Sequence, residues 1–230
     1  MGQAGQILSA PASRRKFLRY AGWSGLAATV LASCTKSISN ISADGKGSTN
    51  SVSLGSGDTG ILNYAYALEQ LEAAFYTLVV ADPYENIDST ELSRLTDIRD
   101  HEIAHREFFK TALGTSAIQA LTPNFSSVDF TSRASVLATA KTFEDLGVSA
   151  YNGAGSLISN PDYLTLAGKI VSVEARHAAY IRNLITPGSF ADLTVINSNG
   201  LDTSRTPAQV LPLAQPFITQ KIDASGLPTA

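Results

Sequence analysis

Two short segments combine residues able to hold a cation. Glu102-Ile103-Ala104-His105 and Glu174-Ala175-Arg176-His177 each place a carboxylate and an imidazole three residues apart, on one face of a helix. Glu69 is followed seven residues later by Tyr76, and Glu144 likewise by Tyr151. Seven residues make two helical turns, so each tyrosine falls on its glutamate's face. The order Glu-x6-Tyr, then Glu-x-x-His, thus occurs twice, with 33 residues from Glu69 to Glu102 and 30 from Glu144 to Glu174. One half of the chain repeats the other.

Four carboxylates and two imidazoles meeting inside a bundle need a counter-charge, because an unpaired buried charge costs several kcal/mol. Two divalent cations balance four glutamates, and oxygen and imidazole donors suit iron or manganese. Glu72 competes with Glu69 for the first-helix position, and the repeat favours Glu69. His101 lies about 100° round the helix from Glu102 and reads as exposed or as backing a ligand. Tyr76 and Tyr151 are either core aromatics or hydroxyls that touch ligand carboxylates. Gly147, three residues after Glu144, is unfavourable in a helix and reads as an opening beside the metals. Gly153 and Gly155 read as a loosened helix end.

These residues require four helices. Residues 61–80 contain no Pro or Gly and are apolar on every face, which suits a buried helix. Asp88-Ser89-Thr90-Glu91 resembles a capping box opening a second helix that stops at Gly114. A third helix is expected over 131–159, and Asn160-Pro161 opens a fourth that ends before Thr186-Pro187-Gly188. About 17 residues separate the second and third helices, and their extended reach of about 56 Å exceeds the roughly 39 Å of a 26-residue helix. The expectation is all-α: two helical hairpins joined by a long crossover over 61–186. Residues 187–230 contain five prolines and read as an extended tail packed on the bundle.

The N-terminus, residues 1–34, has a basic Arg14-Arg15-Lys16 group and then a short apolar run ending at Cys34, the pattern of an export signal. The paired arginines followed by Phe17-Leu18 resemble the twin-arginine class, and Leu31-Ala32-Ser33-Cys34 resembles the lipobox of bacterial lipoproteins. Acylation explains the chain's lone cysteine and predicts a membrane partner through a lipid anchor, in the periplasm or on the cell surface. Removing this leader lowers the basic count from 17 to 13 against 20 acidic residues, a formal charge of −7. An acidic chain without a Lys/Arg stripe argues against nucleic acid. Residues 35–60, rich in Ser, Gly, Thr and Asn, read as a flexible tether.

The segments LNYAYALEQLEAAFY, DHEIAHREFF and VEARHAAYI resemble the ferritin-like superfamily, in the branch labelled ferritin-like or desiccation-related. The resemblance covers about residues 60–186 and implies a ferritin-like four-helix bundle. It also implies that Glu102 and Glu174 bridge two metals, that Glu69 and Glu144 cap one each, and that His105 and His177 give one nitrogen each. The ligand set is that of the di-iron and di-manganese carboxylate bundles. The implied activity is a reaction with O2 or peroxide, as a ferroxidase, oxidase or catalase. The rival expectation is a non-catalytic metal-binding or desiccation-protective envelope protein. The sequence leaves the oligomeric state open, with a homodimer among the options.

Overall fold

The computed structural model describes residues 51–229. The leader, Cys34 and residues 35–50 of the Ser/Gly-rich segment lie outside the described residues. Four long helices dominate: α1 (Gly57–Ala81), α2 (Ser89–Leu113), α3 (Arg133–Gly155) and α4 (Pro161–Ile185). The most extensive packing is α1 on α2 and α3 on α4, because short connections fold neighbouring helices back on each other. The protein is an all-α four-helix bundle.

The helix ends follow from local chemistry. Asp88 Oδ1 caps α2 by accepting from the amides of Thr90 (2.8 Å) and Glu91 (3.2 Å). Glu91 does not complete a capping box. It is buried and turns to the Tyr84 hydroxyl and to Arg133, whose Nη2 donates to it at 2.8 Å. Gly114 ends α2 with φ 53°, a region open to glycine. Asn160 Oδ1 caps α4 at 2.9 Å from the Asp162 amide, with Pro161 at the first helical position.

The crossover fixes the direction of the second hairpin. It runs along α1, since the Ile118 amide donates to Asn63 Oδ1 and the Leu121 amide to Gln70 Oε1. Phe125 and Phe130 then pack on Phe75, with ring centroids 5.9 and 5.8 Å away. From Asn63 to Phe75 is about 18 Å of helix, so the chain is carried toward the end where α1 stops. There Arg133 opens α3 beside Glu91 at the start of α2. At the opposite end Asp58, in the first turn of α1, accepts from the amides of Ser159 (2.8 Å) and Asn160 (2.9 Å). Helices α1 and α3 are therefore antiparallel neighbours.

Three expectations are corrected. Residues 51–60 are not tether: β1 (Ser51–Ser53) pairs in parallel with β2 (Lys221–Asp223), and α1 starts at Gly57. Val52 and Leu54 are buried, an alternation hidden by the surrounding serines and glycines. The tail is not wholly extended, because Pro207–Ala214 forms helix α5. Pro207 takes the first helical position, where no amide donor is needed, and Val210 and Ala214 bury completely. Gly153 is no loosened end. A Cβ there would lie 1.8 Å from the Arg205 carbonyl oxygen, so the glycine lets the tail cross α3.

Asn63 holds three of these parts together. Its Nδ2 donates to the Leu54 and Ser116 carbonyls at 3.1 and 3.0 Å while Oδ1 serves Ile118. Substituting Asn63→Ala is expected to cost about 2–3 kcal/mol. Thermal unfolding followed by circular dichroism should show a melting temperature lower by roughly 5–10 °C.

Candidate metal centre

Each long helix delivers its part of the repeat to mid-bundle. Glu69, Glu102, His105 and Glu174 form one group of potential ligands, and Glu102, Glu144, Glu174 and His177 form a second. Within each group the donor atoms lie within 4.8 Å of one another. Glu102 and Glu174 belong to both groups. The four glutamates are at most 1% exposed, while the His105 side chain keeps 13%.

The two halves mirror each other across the helices. His105 Nδ1 on α2 lies 2.8 Å from Glu174 Oε1 on α4, and His177 Nδ1 on α4 lies 2.8 Å from Glu102 Oε1 on α2. His105 Nδ1 is also 3.5 Å from Glu69 Oε2, and His177 Nδ1 is 3.5 Å from Glu144 Oε2. Despite these approaches, neither Nδ1 has a hydrogen-bond partner, and neither do Glu69 Oε2, Glu144 Oε2 or either oxygen of Glu102 and Glu174. Side-by-side donors and acceptors that miss hydrogen-bond geometry are converging on a shared point. Eight orphaned buried polar atoms at one place are costly, and a cation removes that cost, so these residues fit metal ions.

The tyrosines divide the carboxylates into two kinds. Tyr76 donates to Glu144 Oε1 at 2.5 Å and Tyr151 to Glu69 Oε1. Each hydroxyl thus serves the glutamate of the neighbouring helix, not the one on its own face. Two turns are about 10.5 Å, too far along one helix, and the side chain leans back to reach across. Glu69 and Glu144 keep one free oxygen each; Glu102 and Glu174 keep two.

Two residues only weakly legible in sequence stand beside these groups. His101, exposed on α2, places Nδ1 2.9 Å from His177 Nε2. The ring planes differ by 8° and the centroids are 5.2 Å apart, about the N···N distance plus one ring radius on each side. The rings therefore meet edge to edge in an in-plane hydrogen bond, which keeps His177 Nδ1 turned to the carboxylates. Glu72 is buried as well but belongs to neither group. The opening expected at Gly147 is filled by its carboxylate, whose Oε1 lies 3.2 Å from where a Cβ would stand.

Without an ion the cluster must hold protons. Burial opposes charge on His105, yet Glu102, Glu174 and Glu69 push its pKa up to about 12. Burial raises Glu144 to about 8 against the pull of His177, and raises Glu69 well above the usual carboxylate range. Burial would also raise Glu102, but the two imidazoles beside it bring it down to about 2.

A family model described as a ferritin-like domain matches residues 57–187, more than half of the chain. The chain belongs to the ferritin-like family, whose fold commonly holds iron in such carboxylate and histidine sites. No curated protein matches it in sequence.

Because binding must displace these protons, Mn²⁺ or Fe²⁺ uptake should weaken as pH falls through about 8, where Glu144 protonates. Competition titrations at several pH values measure this, and pH-independent affinity would contradict it. Replacing His101→Ala should lower metal affinity by roughly 10- to 100-fold while leaving helix content unchanged by circular dichroism.

Proposed function

We propose that the chain is an exported protein whose dinuclear centre, of iron or manganese, reacts with dioxygen or peroxide. The observation that carries this reading is the set of eight orphaned donor atoms arranged in two mirrored groups around Glu102 and Glu174. These two glutamates would offer two free oxygens each to the ions, and Glu69 and Glu144 one each. His105 and His177 complete the set with one Nδ1 each. Four negative charges neutralise two divalent ions, so the loaded core carries no uncompensated charge from these ligands.

The bound pair supplies reversible electron transfer to the oxidant. The protein's part is to hold the ligands in place through a change of oxidation state. Tyr76 and Tyr151 fix Glu144 and Glu69 by one oxygen each, and His101 orients His177. Helix burial keeps bulk water from these carboxylates, which preserves the strength of every interaction among them.

The twin-arginine-like leader supports export, and its Cys34 supports a lipid tether to a membrane, in the periplasm or on the cell surface. That route carries folded proteins, which suits loading of the metals before crossing.

A second reading keeps the ions but removes the reaction, so that they serve only to join four helices in a stress-protective envelope protein. Either reading predicts a higher melting temperature with metal, since binding to the folded state alone contributes about 4 kcal/mol at 1,000 times Kd. Activity separates the two. Protein reconstituted with Fe²⁺ or with Mn²⁺ is expected to consume O2 or H2O2 in at least one form, and Glu102→Gln to lose both metal and turnover. Silence in every form with the ions bound would leave the structural role.

A further inference from the structure

The repeat that aligns the ligands breaks down about one turn away from them. An apolar cavity of about 30 Å³ lies in the half of the bundle where α1 begins and α2 ends. Leu68, next to Glu69, lines its wall, as does Tyr151, whose hydroxyl donates to Glu69. Phe108 and Phe109 line it one turn beyond His105. The inner wall therefore backs the group formed by Glu69 and His105. Toward solvent the lining includes Phe108 and Ala112 on α2, which are exposed, and the half-buried Leu166 and Ala167 on α4. The cavity reaches from the seam between α2 and α4 to the edge of the carboxylate cluster.

Alanines make this room. In the register that sets Glu69 against Glu144 and Glu102 against Glu174, the lining residues Ala150 and Ala154 of α3 correspond to Phe75 and Val79 of α1. Ala112 of α2 corresponds to Leu184, and Ala167 of α4 to Leu95. Phe75, Val79 and Leu95 are at most 1% exposed. Phe75 meets Phe143, the counterpart of Leu68, edge to face with ring centroids 5.2 Å apart. Large side chains thus fill one end of the bundle, while four alanines keep the other end open. Underpacking of a core costs stability, so an opening kept on one side only calls for a use.

Size and polarity define what fits. A space of about 30 Å³ has room for about two water-sized molecules, but a water held there needs two to four polar partners. Among the lining residues only Tyr64, Tyr151 and Tyr163 carry a polar side-chain atom. The Tyr151 hydroxyl is committed to Glu69, and Tyr163 is only half-buried. The Tyr64 hydroxyl is buried without a partner, and one such group is too few to satisfy a water. Hydrogen peroxide, with two O–H groups to satisfy, is excluded on the same ground. Dioxygen is a diatomic without a proton to donate, and it suits both the size and the apolar walls. We propose that this cavity is the dioxygen site of the protein and delivers the gas to the Glu69 and His105 side of the cluster. The inference rests on the reaction proposed above and names dioxygen, not peroxide, as its oxidant.

Two measurements test it. In the protein loaded with Zn²⁺, which has no redox chemistry, dissolved dioxygen is a paramagnetic probe that relaxes the methyl protons it touches. Relaxation at Ala150 and Ala154 should exceed severalfold that at Ala140, which is equally buried at the filled end. Ala154→Val and Ala112→Leu each give the open end the residue of its counterpart, and either should bring Ala150 down to the level of Ala140. Position 112 is exposed, so Ala112→Leu narrows the mouth without overpacking the core. In the iron- or manganese-loaded protein both substitutions should raise the KM for dioxygen severalfold, with metal content, helix content and kcat unchanged. Equal relaxation at Ala150 and Ala140 in the wild type would overturn the inference and leave the proposed reaction standing. An unchanged KM in both variants would do the same, as would turnover of peroxide alone. A loaded wild type that consumes neither oxidant removes the proposed reaction, and this inference with it, even where relaxation still marks the cavity.

Discussion

Everything in this bundle answers to the electrostatic cost of placing Glu69, Glu102, Glu144 and Glu174 at its centre with at most 1% exposure. The apolar surround that makes a four-helix core stable is the same medium that makes a lone carboxylate expensive. Protons would meet part of that cost, since burial raises Glu144 to about 8 and the surrounding carboxylates raise His105 to about 12. Ions meet it more completely, because they also satisfy the oxygens and nitrogens that lack hydrogen-bond partners. One arrangement therefore sets both the cost of this core and its capacity to hold ions.

The same constraint explains the shell around the ligands. Glu69 and Glu144 each lose one oxygen to a tyrosine from the adjacent helix, so each has one direction left to offer. Glu102 and Glu174 have no such partner, and both of their oxygens face the shared space. This division of labour comes from the antiparallel placement of α1 and α3, which the crossover enforces through Asn63, Gln70 and the Phe75 aromatic group. A feature remote from the carboxylate cluster, the path of a connecting segment, thus decides which carboxylates have two free oxygens.

The six central residues were legible in the sequence because two constraints coincide on them: helical spacing and internal repetition. Spacing led to the expectation that Tyr76 and Tyr151 could touch ligand carboxylates, as they do, but not which carboxylate each reaches, since a face shared within one helix says nothing about which neighbour lies opposite. The pairing of Ser51–Ser53 with Lys221–Asp223 was invisible for a different reason. It joins segments at opposite ends of the folded region, and its apolar signal is only Val52 and Leu54 set among Ser and Gly, with the single Ile222 opposite. Helix α5 was masked by Pro207, Pro212 and Pro216, although proline at a first helical position is compatible with a helix. Gly153 resembled a breaker, and only the tail backbone beside it shows that it is a crossing point.

The repeat is also informative where it fails. Position 101 is His while its counterpart 173 is Val, and position 72 is Glu while its counterpart 147 is Gly. A strictly symmetric pair of halves would hold two ions in equivalent surroundings. Here only the His177 half has a backing imidazole, and only α1 contributes an additional acid. Both departures lie within three residues of a ligand, at positions that leave the ligand set itself unchanged. The repeat thus brings two groups of potential ligands together, and the asymmetric neighbours give those groups different surroundings.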